Sequence, residues 1–270
     1  MNDLAEKALH GLDGARRAIA SRPVVSLAVA GCVVACALVV SGARIGAAPS
    51  AVPLNRWLGL VPSAQYQVTD VWLGVFMLAM IGALLALWLG SIHVVRQRHC
   101  RDRAVWIIAA AWAAPFALGP PLLSTDIYRH VAAGLLARRG LSPYHHGPDS
   151  LGGARLVDAI DPTWRSTPST DGPLATLLSH LAVSISGGSV LTSVIVLRVI
   201  AVASAIVIGM LAADLAGPRR ALALSLTVLN PAVLLYVISA GLFTGVLVAL
   251  LLAAIVSAAQ RRWVRAVIFA

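Results

Sequence analysis

Charge is what this chain has least of. Only 12% of its 270 residues are Asp, Glu, Lys or Arg, about half the share usual in soluble domains. Aromatic residues stand at 6%, while 59% of the chain is hydrophobic. That balance excludes an ordinary soluble domain and indicates an all-α polytopic membrane protein. Acidic residues are the scarcer sign, 11 against 21 Lys and Arg, for a formal net charge of +10. A basic excess can serve nucleic acid, but in so apolar a chain the positive-inside bias accounts for it, and no nucleic-acid partner is implied. Cysteine is nearly absent, and no Cys-x-x-Cys pair exists. Cys32 and Cys36 sit four apart on one apolar stretch, where small buried thiols are expected, and Cys100 lies in a basic loop. An odd count argues against a disulfide framework. The lead-in through Arg22 is long and polar and the apolar run after it is full-length, unlike a cleaved signal peptide.

What is present is a series of apolar runs near the roughly 20 residues that cross a bilayer. Three come first within residues 24–123: Val24 to Ala43, Val71 to about Ile92, and Ala104 to Leu123. A polar stretch from Ser124 to Pro173 follows, about 50 residues and too long for a simple connection. The apolar piece 174–186 is short and bounded by Gly187-Gly188, and it completes an outer segment at 124–189. Three further spans occupy residues 190–259: Leu191 to Leu215, Ala221 to Ala240, and Leu242 to Ala259. Residues 260–270 read as a basic loop and the start of another span, so the chain is expected to be truncated or fragmentary.

Arginine fixes the expected orientation. Lys7, Arg16, Arg17 and Arg22 precede the first span and place segment 1–23 in the cytoplasm. Arg96, Arg98, Arg101 and Arg103 put the loop between the second and third spans inside as well. The polar stretch is then outside. If 174–186 crossed the membrane, Arg219-Arg220 and Arg261-Arg262-Arg265 would fall outside; if it lies along the interface, both clusters fall inside. The second arrangement is expected. A matching amphipathic helix is expected over 126–139, with Ile127, Val131, Leu135 and Leu136 at helical spacing and Gly140 as its stop.

Asp126 is the leading candidate for chemistry. It follows Gly119-Pro120-Pro121, where a proline pair ends helical geometry, and so sits where the headgroup of a lipid-linked substrate would lie. In that place a carboxylate serves either as a general base or as a cap for the next helix. The turn at Ala240 to Thr244 falls on the same side and is expected to face one cavity with Asp126. Arg129, Arg138 and Arg139 with His130 either hold a lipid phosphate, which a guanidinium does bidentately, or attract anionic headgroups. Tyr144 and Trp164 either stack on a sugar or close the loop. His145-His146 makes at most half a metal site and reads as solvated loop. Asp214 is expected to pair with Arg219 or Arg220, and Asn230 beside Pro231 to make a structural hydrogen bond.

The order and spacing of several motifs carry a family resemblance. They are Ser124-Thr125-Asp126-Ile127-Tyr128, Gly134, Gly140-Leu141-Ser142-Pro143-Tyr144, Gly147-Pro148, Trp164, Thr167-Pro168, Gly172-Pro173-Leu174, Arg198 and Asn230-Pro231. Over roughly residues 20 to 260 the chain resembles the polyprenol-phosphate-mannose-dependent α-(1→6)-mannosyltransferases, GT-C glycosyltransferases that extend the mannan core of lipomannan and lipoarabinomannan. The resemblance implies a GT-C-like bundle whose first large outer loop carries two interfacial helices and a catalytic acid near its start. It implies an inverting enzyme of the cell membrane, without cofactor, that moves mannose from polyprenyl-phosphate-mannose to a mannan or lipoglycan acceptor among membrane lipids. Asp126 is then the catalytic residue, and Tyr128, Arg129, His130, Arg138, Arg139, Tyr144, Trp164 and Arg198 bind substrate. Arg198 either snorkels outward or pairs within the cavity, and the match favours the cavity. Three positions depart from the pattern. Leu242-Phe243-Thr244 stand where the family has a His-Asn-acidic triplet. His130 stands for a tyrosine, and Thr170-Asp171-Gly172-Pro173 for a Pro-Tyr-Gly-Pro element. The family's proteins are also much longer. These departures keep a second reading open, a truncated non-catalytic relative that binds lipid-linked glycan or a partner enzyme.

The orientation is open to direct test. In a cysteine-free background, a cysteine at Ser150 is expected to react with a membrane-impermeant thiol reagent added outside, and one at His99 to be protected. The reverse pattern overturns the topology.

Overall fold

A computed structural model describes residues 23–42, 56–57, 61–62, 71–98, 100–153 and 155–269. The basic lead-in with Lys7, Arg16, Arg17 and Arg22, and the positions Arg44, Asp70 and His99, lie outside the described residues. The described residues are mostly helical, with a small antiparallel pairing of Arg56–Trp57 (β1) with Val61–Pro62 (β2).

The first three helices are α1 (Pro23–Gly42), α2 (Val71–Arg98) and α3 (Asp102–Leu118). Glycine allows α1 and α3 to pack closely. A Cβ on Gly31 would fall inside the Trp112 indole, and one on Gly119 would clash with Val39. Trp112 is fully buried there, and its Nε1–H donates to the Leu27 carbonyl at 2.9 Å. The pairs 31/112 and 39/119 rise together in number, so α1 and α3 run parallel. The third helix is shorter than the sequence pattern predicts. It stops at Leu118 because Gly119, Pro120 and Pro121 carry the chain into extended geometry.

Next come α4 (Asp126–Arg138), the single turn α5 (Arg155–Asp158) and α6 (Pro173–Ile185). Helices α4 and α6 lie side by side and parallel, with the stretch between them running back. Gly134 faces the Ser179 backbone, and Arg138 Nη1 reaches the Val183 carbonyl at 3.4 Å. Ile127, Tyr128, Val131, Leu136, Ala182 and Val183 share a second apolar core with Val194 and Leu197.

Helix α7 (Val190–Ala216) reverses at Gly217, which has φ +55°, into α8 (Arg220–Thr227). In a straight helix Gly209 and Leu224 would be about 22 Å apart. Instead a Cβ on Gly209 would meet Val228 at 2.5 Å and Leu224 at 3.4 Å, so the two limbs are antiparallel. Trp88 ties α2 to this limb through a 2.8 Å bond to the Ser225 carbonyl. At the turn, Arg220 joins Asp102 at 2.9 Å and Asp214 at 2.6 Å. These pairs are exposed and screened, so they set register more than they stabilise.

The fifth predicted span is not one α-helix. It breaks at Asn230-Pro231 and resumes as a π segment, Val233–Ser239, with i→i+5 bonding such as Ala240 N–H to Leu235 O at 3.1 Å. Asn230 restarts the helix, since its Oδ1 accepts from Ala232 N–H at 2.9 Å, and its own N–H donates to the Thr227 carbonyl at 3.1 Å. Gly241, at φ +67°, packs on Ile127 and turns the chain into α9 (Thr244–Ala259), followed by α10 (Trp263–Phe269). The π segment and α9 meet at 111°.

Among the described residues, α1, α2 and the folded Val190–Thr227 stretch are long and apolar enough to cross a membrane. The architecture is that of an all-α polytopic membrane protein. Apolar rows such as Val25, Val29 and Val33 on α1 and Leu78, Leu85 and Leu89 on α2 face outward, as lipid contact requires. Cys36 is exposed on α1 and Cys32 half-buried, which corrects the expectation of two buried thiols.

The close approach of α4 to the α6 backbone gives a stability test. A Cβ on Gly134 would lie 2.3 Å from the Ser179 carbonyl oxygen, a backbone atom that cannot swing aside. Gly134→Ala is expected to lower stability by about 1–3 kcal/mol through overpacking, read by denaturant unfolding in micelles. Wild-type stability would mean that α4 and α6 are not in this contact.

Candidate functional site

Beyond Pro120-Pro121 the chain turns sharply. Leu123 has φ +66°, a region that branched side chains rarely occupy, and it directs Ser124 and Asp126 into the bend. Asp126 opens α4 without capping it; the N-cap is Thr125, whose side chain makes no capping bond. The Ser124 hydroxyl donates to Asp126 Oδ2 at 2.9 Å and accepts from Asp126 N–H at 3.1 Å. This leaves Asp126 Oδ1 directed at Arg129 Nε, 3.9 Å away.

Residues one helical turn apart share a face. Asp126, Arg129 and His130 therefore project together into a cavity of about 400 Å³. The opposite walls come from far along the chain: Asp171, Leu174 and Leu178 at the start of α6, and Leu242, Phe243 and Leu247 around the start of α9. The sequence expectation that Asp126 and the turn at 240–244 share one cavity matches this lining. The cavity is polar at the α4 end and apolar along α6 and α9.

Asp171 joins the polar groups. Its Oδ1 lies 3.5 Å from Arg129 Nη2, and its Oδ2 lies 3.1 Å from His130 Nδ1. The histidine contact has ion-pair distance but an off-axis approach, so it is not a well-aligned hydrogen bond. His130, followed by Arg129 and Ser169, holds the Asp171 carboxyl below the usual carboxylate range, against burial, which pushes the other way. Ser169 fixes the turn by accepting from Asp171 N–H at 3.2 Å. The His130 ring rests on Phe243 with centroids 4.5 Å apart, and the Arg129 guanidinium lies over Trp164 at 5.4 Å. Side-chain exposure falls from 40% at Asp126 to 22% at Asp171, 16% at Arg129 and 4% at His130. Asp126 is thus the more exposed carboxylate, while Asp171 is engaged with Arg129 and His130.

Of the residues singled out from sequence, Asp126, Arg129 and His130 line the cavity, and Trp164 supports it from behind Arg129. The others lie elsewhere. Arg138 contacts the Val183 carbonyl, and Arg139 Nη1 the Leu151 carbonyl at 3.0 Å. Tyr144 Oη pairs with Thr176 Oγ1 at 2.9 Å, joining the loop to α6. Tyr128 is fully buried, and burial pushes its phenol well above the ordinary range while Arg198 pulls the other way. His145 and His146 each contact Ser142 within their own loop. Asp171 escaped the sequence reading as a site residue; the available signal was an acid directly ahead of the Gly172-Pro173 helix start.

Arg198 corrects the expectation of a cavity residue. It is 2% exposed and is absent from the cavity wall. Its Nη1 donates to the carbonyls of Ala117, at 3.1 Å, and Gly119, and its Nη2 to that of Ser239 at 2.8 Å. These acceptors belong to the ends of α3 and the π segment, where helical carbonyls lack partners. Leaving buried acceptors unmet costs about 1–3 kcal/mol each. Arg198→Leu is therefore expected to lower stability by about 3 kcal/mol or more, with Arg198→Lys only a partial rescue, in the same unfolding assay. A stable Leu variant would refute the tie.

Residues 28–270 match the family described as alpha-(1->6)-mannopyranosyltransferase, N-terminal domain. The chain is 30% identical over 191 residues to alpha-(1->6)-mannopyranosyltransferase A of Mycobacterium tuberculosis, covering 70% of this chain and 37% of that protein. It is 25% identical over 160 residues to alpha-(1->6)-mannopyranosyltransferase A of Corynebacterium glutamicum, covering 58% of this chain and 32% of that protein. With alpha-(1->6)-mannopyranosyltransferase B of Corynebacterium glutamicum it shares 30% identity over 133 residues, 47% of this chain and 22% of that protein. The chain thus spans well under half the length of these relatives. No solved structure matches it.

Proposed function

Because the chain belongs to the α-(1→6)-mannopyranosyltransferase family, we propose that its cavity serves mannosyl transfer from a polyprenyl-phosphate donor to a mannan or lipoglycan acceptor on the outer face of the membrane. One observation carries the reading: Asp126, Arg129 and His130 meet in one cavity whose remaining walls are largely apolar. A lipid-linked sugar phosphate needs both surfaces.

The chemistry follows from the groups present. An acceptor hydroxyl oxygen attacks the anomeric carbon of the donor. The bond from that carbon to the phosphate oxygen breaks, and its electron pair leaves with the polyprenyl phosphate. The hydroxyl proton passes to Asp126, the open carboxylate. A single displacement of this kind inverts the anomeric centre. Arg129 and His130 offset the charge that develops on the departing phosphate. Trp164, with its ring under the guanidinium, helps hold Arg129 in place, so less ordering remains to be done when substrate binds.

A second reading is binding without turnover. It is favoured by Leu242, Phe243 and Thr244, which bring no charge to the wall opposite Asp126.

Asp126→Asn separates the two readings. If Asp126 is the base, the variant folds and binds donor, while transfer of mannose to a short α-mannoside falls about 100-fold or more. Turnover equal to wild type removes Asp126 from the chemistry. Donor binding without turnover in the wild-type chain supports the second reading.

A further inference from the structure

The titratable and charged groups that line the cavity are Asp126, Arg129, His130 and Asp171. Two carboxylates face one guanidinium, so with His130 neutral the site carries a net negative charge. Helix α9 offers no compensation, since Thr244–Ala259 contains no ionisable residue. His180 of α6 lies off the lining, and Arg198 of α7 is committed to backbone carbonyls. Anions of any kind therefore meet a site of their own sign. One group within reach can reverse that. His130 is nearly enclosed, lies 3.1 Å from Asp171 and forms part of the cavity wall. Histidine is the side chain that gains a proton most readily near neutral pH.

We propose that the cavity binds a phosphodiester monoanion together with a proton, which is taken up by His130, and that Asp171 is the positioning residue that sets this requirement. The inference rests on the donor reading given above and deepens it. Asp171 lies 3.1 Å from Nδ1 of the imidazole and 3.5 Å from the Arg129 guanidinium at the same time. An entering phosphodiester finds the guanidinium already shared between two carboxylates. Protonation of His130 brings the four-group cluster to neutrality, and the anion then adds to it without facing a like charge. Asp171 also stabilises the imidazolium once it forms, through the same contact. Selection follows as well. A neutral polyprenol gains nothing from the added proton, whereas a phosphodiester gains an opposite charge within a few ångströms.

Titration calorimetry of the full chain in detergent reads this directly. The probe is a short-chain polyprenyl phosphoryl mannose, whose single charge is constant across the range. Two buffers of different ionisation enthalpy report proton uptake. Wild type is expected to bind about tenfold more tightly at pH 6 than at pH 8, with net uptake of a proton between them. His130→Gln is expected to lose the uptake and to bind at pH 6 no better than at pH 8. Asp171→Asn is the discriminating variant: it removes one negative charge, so binding at pH 8 tightens and the pH dependence flattens. A merely supporting Asp171 would instead weaken binding at every pH when changed, and that result overturns the proposal. So does wild-type binding without proton uptake, or uptake that survives His130→Gln. If His130→Gln fails to fold, wild-type uptake and Asp171→Asn still decide. Failure to bind the diester at any pH sinks the donor reading and this inference together. Binding without pH dependence sinks this inference alone.

Discussion

Backbone carbonyls at the ends of helices must find donors, and inside a membrane water does not supply them. Arg198 meets that constraint for two breaks at once. Its guanidinium collects the carbonyls of Ala117 and Gly119, where α3 gives way to Pro120-Pro121, and of Ser239, where the π segment ends. The fork of N–H groups suits this task better than a lysine would. Because Arg198 lies near the start of α7, the end of α3 and the beginning of α7 are held together. The chain between them therefore leaves and returns at the same end of the bundle. The placement of α4 and α6 over that end follows from this tie.

The cavity inherits its order from those joints. α4 starts a few residues beyond the α3 break, so Asp126 is fixed relative to the bundle. The π segment ends beside Arg198 and is followed by Gly241, which packs on Ile127 of α4. Phe243 is thereby delivered to His130. Gly134 sets how closely α6 approaches, and with it the position of Asp171. The contacts of Arg129 are loose, with separations of 3.9 and 3.5 Å from two carboxylates.

Composition made the membrane class readable from sequence, because a chain with so little charge has few alternatives. The break after α3 was also readable, since Pro120-Pro121 acts locally. So was the face shared by Asp126, Arg129 and His130, which helical spacing alone specifies. Asp171 was not readable as a member of the cluster. It lies in another segment, and nothing in the periodicity of either helix says that the start of α6 meets the start of α4. Arg198 was seen as unusual but given the wrong destination; a buried arginine and a cavity arginine look alike until the carbonyls around it are known. The π geometry at Val233–Ser239 had a local cue in Asn230-Pro231, but a proline marks a break without specifying what resumes after it. Cys36 on the exposed side of α1 shows the same limit, because an apolar residue in a membrane helix faces lipid as readily as protein.

The cavity walls come from three stretches of chain, around 126–130, 171–178 and 242–250. That spacing imposes an order on biogenesis. As the protein is threaded into the membrane, α4 is complete well before α6 exists, and both are complete before α9 emerges. Arg129 and His130 must wait in the nascent chain without Asp171, and the three of them without Phe243. The carbonyls at the end of α3 likewise wait for Arg198 to be inserted. The cavity is thus closed only once α9 has emerged, and a ribosome stalled before the α9 stretch would leave a membrane-embedded chain with Arg129 and His130 in place and one side of the cavity missing.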